Sequence, residues 1–298
     1  MSDFDAWGGD WTAKKITTLR TYLRLYQTAL KNTGFHRSYI DALAGDGTWR
    51  QRVQEGSSQQ SLEILEQEAV SSFREGSAKT ALGIEPPFDR YVFNDLDSEK
   101  TKRLYKVASD HGVPLTSVDV CTMDANEFIQ TTCRSIDRKT QGGVVLLDPW
   151  GMQVNWTTVQ SIAATECLDM WYLFPTQGVL RMLPHAGRPS QSWQDKLDSI
   201  LGTKDWREEF YKSVSVVGDL FSSGPVEKTH REASFEGVEA YLIRRLRETF
   251  RGAVLENPLR LGPRNRPLFS FCFATANPSE RAKGLADKLS RAVLRANK

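Results

Sequence analysis

Between residues 38 and 174, short β-prone runs alternate with amphipathic helical segments, and this alternation constrains the fold more than any other feature of the chain. The run from Gly143 to Asp148 is so apolar that both faces of its strand should be buried. Repeated β-α units of this kind form a parallel sheet with helices on both faces. We therefore predict an α/β fold whose ligand site lies beyond the carboxyl ends of the strands.

The spacing of apolar residues predicts where each element lies. Strands are expected to begin near residues 38, 90, 116, 143, 168, 254 and 268, the last two forming a hairpin-like end. Helices are expected at 11–33, 62–72, 98–111, 126–137, 155–165, 235–250 and from 279 onward, with Ser98 as the N-cap of the third. Together they predict a mostly parallel, seven-stranded, Rossmann-like sheet.

The domain organisation follows from one interruption of this alternation. Residues 177–232 contain Pro184, Pro189, Trp193 and Trp206 among polar residues, which we interpret as a helical insertion that caps the site. Residues 1–37 then form an N-terminal helical extension, and residues 38–176 and 233–298 together form the core.

Composition excludes several classes of protein. Lys and Arg number 39 against 37 Asp and Glu, so the net charge of +2 gives no global case for nucleic-acid binding. The four cysteines form no C-x-x-C pair, which predicts reduced thiols and no metal site. The acidic N-terminus lacks a signal pattern, and no apolar run approaches the roughly 18 residues of a membrane span. We therefore expect a cytoplasmic protein without a membrane partner.

A glycine turn follows the first predicted strand and carries two acids. Gly45 and Gly47 permit a sharp turn and close contact between backbone and ligand. A phosphate-binding loop would place Lys and Ser or Thr after its glycines, whereas Thr48 and Trp49 follow here. Carboxylates suit an ammonium, a sulfonium or a ribose diol, and S-adenosylmethionine carries all three. The turn therefore predicts a cofactor site that includes Asp41, Ala44, Gly45, Asp46 and Gly47, and the alternative is an ordinary turn with solvated acids.

Two further acids follow the second and third strands. Asp95 is placed to accept both hydroxyls of a ribose, since an ionised carboxylate has about four acceptor positions. Leu96 lies beside it in the predicted site, and Asp97 is the weaker ribose candidate and an alternative helix cap. Asp124, Ala125 and the following Asn126 are predicted to meet the adenine amino group, although an N-cap role for Asp124 is nearly as good an interpretation.

The fourth strand leads directly into Asp148, Pro149 and Trp150, which we predict to be the catalytic residues. The Asp148 carboxylate, which could also contact the cofactor, and the Pro149 carbonyl can accept hydrogen bonds from a substrate amine, and the Trp150 ring offers a face for stacking. Withdrawing a proton from an amine that attacks a sulfonium methyl is general-base or electrostatic catalysis. The alternative is that Asp148 caps the next turn and Trp150 closes the core.

These segments resemble the three-Cys-motif partner protein family over most of the chain. The resemblance rests on Lys14-Lys15 with Tyr22-Leu23, Tyr39 to Gly47, Gly56-Ser57, Phe93 to Asp97, and Leu147 to Gly151 with Trp156. That family is similar to class I S-adenosylmethionine-dependent methyltransferases, which implies the Rossmann-like fold, the cofactor and a partner protein encoded nearby. This chain has Leu43, Asp46 and Asp95 where the family usually has Phe, Pro and Glu. The Asp148 segment also resembles the Asp-Pro-Pro-Tyr motif of amino-group methyltransferases, without its second proline.

The sequence therefore predicts an S-adenosylmethionine-dependent methyltransferase, with an amino group of a nucleic-acid base as the preferred acceptor. Late arginines could bind a phosphate backbone or simply form a solvated face: Arg244, Arg245, Arg247, Arg251, Arg260, Arg264 and Arg266. His185 and His230 are weaker candidates for acid-base chemistry. A catalytically degenerate binding subunit is the second hypothesis. A nicotinamide-dependent oxidoreductase is the third hypothesis and is ranked last, because Arg50 stands where its G-x-G-x-x-G turn needs glycine.

Overall fold

The computed structural model describes residues 9–45, 76–149, 151–216, 226–262 and 266–296. Its strands are β1 His36–Asp41, β2 Arg90–Asn94, β3 Val118–Cys121, β4 Gln141–Leu147, β5 Leu168–Phe174, β6 Tyr211–Val216, β7 Val226–Arg231, β8 Leu259–Leu261 and β9 Phe269–Thr275. Its helices are α1 Gly9–Leu30, α2 Ser98–Asp110, α3 Ala125–Ser135, α4 Trp156–Ala164, α5 Thr176–Arg181, α6 Gln191–Leu201, α7 Trp206–Glu209, α8 Phe235–Thr249 and α9 Glu280–Ala296. Residues 76–82 are also helical. The predicted helix at 62–72 lies outside the described residues.

The main sheet has seven strands in the order β3-β2-β1-β4-β5-β9-β8. The first five strands of this order run parallel, whereas β9 is antiparallel to both β5 and β8. The order reverses between β1 and β4, and ligands bind at such a switch point in open α/β sheets. The predicted mostly parallel, Rossmann-like methyltransferase fold is confirmed by this topology.

Both faces of the sheet are buried, which explains the continuous apolar runs. In β4, Val145 and Leu147 face a core shared with α3, α4, α6 and α8. Val144 and Leu146 face the opposite core, which α1, α2 and α9 cover. Tyr22 of α1 packs there against the ring of Trp171, with centroids 5.3 Å apart.

The helix starts follow local capping chemistry. The Asp97 carboxylate accepts the backbone N–H of Glu99 and caps α2, so the predicted N-cap at Ser98 is wrong by one residue. Ser234 caps α8 through the N–H of Gly237. The other predicted helices in the described residues are confirmed, with ends that differ by a few residues.

Two of the predicted segments need correction, one helical and one a strand. The segment 177–232, predicted as helical, contains α6, α7 and most of α5 but also the antiparallel pair β6–β7. The strand predicted from Val254 is shortened to Leu259–Leu261, because Pro258 cannot donate a ladder hydrogen bond. Val254 keeps only an isolated bridge to Ala274.

In the part of the chain that the structure describes, no helix combines the length and apolar character needed to cross a membrane.

Candidate functional site

The candidate site lies at the carboxyl edge of β1, β2 and β4. Asp41, the last residue of β1, pairs in register with Phe93 on one side and Leu146 on the other. Asp95 and Asp148 each follow two residues beyond those partners. The strand register therefore brings three predicted acids to one edge of the sheet.

The Asp41 side chain is fully buried and accepts hydrogen bonds from Leu43, Ser77 and Tyr39. Its Oδ1 accepts the backbone N–H of Leu43 at 3.2 Å. Its Oδ2 accepts the hydroxyl of Ser77 at 2.7 Å and that of Tyr39 at 3.3 Å. These bonds fix the carboxylate at the point where the chain leaves β1.

Tyr39 lies close enough to Asp41 and Asp148 for the charges of both acids to act on its hydroxyl. Burial and then the charges of Asp41 and Asp148 raise the pKa of its hydroxyl well above the usual value. The hydroxyl therefore stays protonated and donates to Asp41. Asp148 is fully buried and Pro149 is buried beside it, whereas the predicted stacking residue Trp150 lies outside the described residues.

The glycine turn after β1 docks onto the end of β2. Gly45 has φ of +66°, a left-handed conformation that favours glycine, and its N–H donates to Asp95 Oδ2 at 3.1 Å. The N–H of Ala44 donates to the carbonyl of Asn94 at 2.8 Å. Asp46 and Gly47, the rest of the predicted turn, lie outside the described residues.

Asp95 has spare acceptor capacity despite being nearly buried. Its Oδ1 accepts the N–H of Asp97 at 3.0 Å, and its Oδ2 accepts that of Gly45. Among the described residues, each oxygen has one backbone donor and the Lys100 ammonium lies 4.0 Å from Oδ1, so about two of the four acceptor positions of a carboxylate are open to a ligand. Leu96 beside it is 73% exposed, so an apolar side chain is available at the same edge.

Asp124 is the N-cap of α3, which was the alternative interpretation of this acid. Its Oδ1 accepts the N–H groups of Asn126 at 2.9 Å and Glu127 at 3.2 Å. Ala125 is buried as the first residue of the helix. The adenine contact predicted for Asp124 and Ala125 remains a prediction.

Two asparagines organise the site, and the sequence did not indicate the hydrogen bonds that either one makes. Asn94 donates to the carbonyls of Ala42 and Met123 and accepts the N–H of Met123, so it ties the ends of β1, β2 and β3 together. The sequence feature that could have indicated Asn94 is its position at the end of an apolar strand. A buried amide with three satisfied bonds rigidifies the loops that it joins.

Asn126 holds the loop that follows Pro149. Its amide donates to the carbonyl of Gln153 at 3.0 Å, and its oxygen accepts from Asn155 N at 2.8 Å and the Thr158 hydroxyl at 2.7 Å. This loop is thereby clamped to α3, although it lies 27 or more residues away in sequence.

The remaining predicted functional residues lie in ion pairs or on the surface. Five of the late arginines pair with glutamates: Arg244 with Glu209, Arg245 with Glu248, Arg247 with Glu256, Arg251 with Glu166, and Arg260 with Glu236 and Glu239. Arg264 lies outside the described residues. His185 contacts Arg231, and His230 lies 3.7 Å from Glu232. Among the described side chains, no cluster of His, Cys, Asp or Glu is arranged to hold a metal ion.

The chemistry of this edge fits S-adenosylmethionine. Asp95 offers acceptors for a diol, Asp41 and Asp148 offer negative charge for cationic groups, and the Gly45 turn allows close approach of a ligand. Leu96 offers apolar contact for a planar base.

Comparison with known proteins returned solved structures only. No family model matches the sequence, and no curated protein matches it. An S-adenosylmethionine-dependent methyltransferase from Clostridium acetobutylicum is 11% identical, covering 91% of this chain and 93% of that one, with a TM-score of 0.36. Trm1 from Pyrococcus horikoshii, solved with S-adenosyl-L-methionine, is 10% identical over 95% of this chain and 76% of its own, with a TM-score of 0.36. An rRNA methylase from Streptococcus thermophilus is 7% identical over 66% and 87%, with a TM-score of 0.29. These similarities are weak, so the fold is defined by the strand order and the chemistry by the residues of the site.

Proposed function

We propose that the protein is an S-adenosylmethionine-dependent methyltransferase. The observation that carries this proposal is the convergence of Asp41, Asp95 and Asp148 beside the Gly45 turn at a switch point of the sheet. Such an edge suits a ligand that is cationic and carries a diol.

The three acids bind two different parts of the cofactor. Asp95 holds the ribose, and Asp41 with Asp148 stabilises the positive charge of the amino-acid end and the sulfonium. Fixed carboxylates in a buried site stabilise charge more strongly than water does, because they need no reorganisation when the ligand binds. Bound S-adenosylmethionine supplies an electrophilic methyl group.

The acceptor in this proposal is an amino group. Asp148 and the Pro149 carbonyl accept its hydrogen bonds, and Trp150 stacks on its ring. A base of a nucleic acid is the preferred acceptor, with arginines of the C-terminal region on its backbone. The resemblance to the three-Cys-motif partner family supports an additional protein partner encoded nearby.

Calorimetric titration tests the cofactor assignment. The wild type should bind S-adenosylmethionine and its demethylated product S-adenosylhomocysteine, and Asp95→Ala should weaken both at least tenfold because it removes the diol acceptors. Asp97→Ala is the matched control, since it removes a neighbouring carboxylate whose bond is to the α2 N-terminus. It should lower stability by about 1 kcal/mol and leave binding within twofold of wild type. Absence of binding by the wild type, or unchanged binding by Asp95→Ala, would refute the assignment.

A degenerate methyltransferase fold that serves as a binding subunit is the second candidate, and the complete burial of Asp148 favours it. A catalytic carboxylate must contact its acceptor, so this side chain would have to become accessible when the acceptor binds. Methyl transfer from labelled cofactor to pooled DNA, RNA or protein separates the two functions. Cofactor binding without transfer, with the partner protein present, would favour the binding subunit.

A further inference from the structure

Lys15 is an unusual residue for its position on α1. Its side chain is completely buried, whereas the adjacent Lys14 is exposed. Among the residues that the structure describes, it is the one basic side chain that is fully buried. A buried ammonium is costly unless anionic groups lie near it, and lysines are almost never buried otherwise.

The course of α1 places Lys15 on the side of the molecule that holds the candidate site. Near the start of α1, the ring of Trp11 stacks on Phe269, the first residue of β9, with centroids 6.0 Å apart. That end of β9 pairs with the carboxyl end of β5. Farther along α1, Tyr22 donates to Asp169 near the start of β5. Lys15 lies one turn after Trp11, with its ammonium 5.1 Å from the Trp11 ring centroid.

A short chain of contacts links this turn of α1 to the buried acids. Ile16 packs directly against Gly76, where an added Cβ would lie 2.3 Å from its Cδ1. The next residue, Ser77, donates its hydroxyl to Asp41 Oδ2 at 2.7 Å. Asp41 and Asp148 are both fully buried and both act on Tyr39. Two buried carboxylates repel one another, and a nearby cation offsets part of the free-energy cost of that repulsion.

We propose that Lys15 is a positioning residue whose ammonium offsets part of the charge of Asp41 and Asp148, and so sets the net charge that the site presents to the cofactor. This inference rests on the proposed function. With one buried cation against two buried anions, the site keeps about one negative charge for a sulfonium. Lys15 therefore limits how strongly the site prefers S-adenosylmethionine over its product, whose thioether is neutral.

The ratio of two dissociation constants tests the proposal. Lys15→Met keeps the length of the side chain and removes its charge, and we expect the S-adenosylhomocysteine Kd divided by the S-adenosylmethionine Kd to rise at least threefold at pH 8. Lys14→Met removes the same charge at an exposed position and should leave the ratio unchanged. A purely structural role for Lys15 would weaken both ligands in proportion, and an unchanged ratio in Lys15→Met would overturn the proposal.

A double-mutant cycle with Asp41→Asn provides a measurement that does not depend on ligand binding. Lys15→Met alone should lower the melting temperature by about 5 °C or more, because it leaves buried acids uncompensated. The double variant Lys15→Met/Asp41→Asn should recover at least half of that loss, since both charges are gone. If the losses in melting temperature of the two single variants add up in the double variant, the proposal for Lys15 is overturned, whether or not the wild type binds the cofactor. If the losses are coupled but the wild type binds no cofactor, the charge pairing stands and only the proposed function is refuted.

Discussion

At the scale of single residues, the acids of the site also hold the backbone in place. Asp95 accepts the N–H of Gly45 and that of Asp97, and Asp41 accepts that of Leu43. Each carboxylate therefore shapes the turn beside it while it offers charge to a ligand. The positions of these acids could be predicted because each follows an apolar strand. The roles of Asn94 and Asn126 could not, because their partners lie 27 to 52 residues away in sequence.

Asp169 provides a pH-dependent test at the same scale. Burial raises its pKa to about 6, although hydrogen bonds from Thr275 and Tyr22 partly oppose the rise. An unfolded chain should titrate this group near pH 4, as model peptides do. The folded state therefore binds the proton more tightly, and the stability that this group contributes is complete below about pH 4 and is lost as the pH rises through about 6.

The variant Asp169→Asn removes this titration. Its free energy of unfolding, relative to wild type, should rise by about 2 kcal/mol between pH 4 and pH 7, because a shift of one pKa unit corresponds to about 1.4 kcal/mol. Urea unfolding at the two pH values measures the change. Asp119→Asn, which removes a half-exposed carboxylate paired with Arg90, is the control for the loss of an acid from the sheet and should change stability by less than about 1 kcal/mol. A pH-independent difference between Asp169→Asn and wild type would contradict the assigned pKa.

At the scale of elements, the segment 177–232 packs closely against α4. Gly202 ends α6 with φ of +70°, and an added Cβ would lie 2.2 Å from the Trp156 ring at the start of α4. Arg245 of α8 lies over the same ring at 5.2 Å. The sequence predicted a helical segment here without locating its helices, and it missed the pair β6–β7. The polar composition of the pair hides the strand pattern, and β7 begins ten residues after β6 ends.

The variants Gly202→Ala and Gly112→Ala separate the cost of a left-handed backbone from the cost of steric overlap by the added methyl group. Both glycines have φ of +70°, but a Cβ at Gly112 meets nothing within 4 Å. Gly112→Ala should therefore cost about 1 kcal/mol of stability, for the left-handed backbone alone. Gly202→Ala should cost at least about 2 kcal/mol more, because the methyl group overlaps the Trp156 ring. Equal losses in denaturant unfolding would show that the α6–α4 contact relaxes without cost.

At the scale of the whole molecule, the sheet determines where chemistry can occur. Parallel strands bring Asp41, Asp95 and Asp148 to one edge, and the reversal of strand order between β1 and β4 opens that edge to a ligand. The arrangement could be predicted from the sequence because buried parallel strands consist of continuous runs of apolar residues. It did not predict the burial of Lys15, since Lys14 and Lys15 differ only in the helix face that they occupy.

The most direct test of the cofactor site is a crystal structure of the protein with S-adenosylhomocysteine. We expect the ribose at Asp95, the base beside Leu96, and the amino-acid end at the edge formed by Asp41, Gly45 and Asp148. Ligand density at another place on the molecule, or a ribose with no contact to Asp95, would contradict the central claim that this edge is a cofactor site.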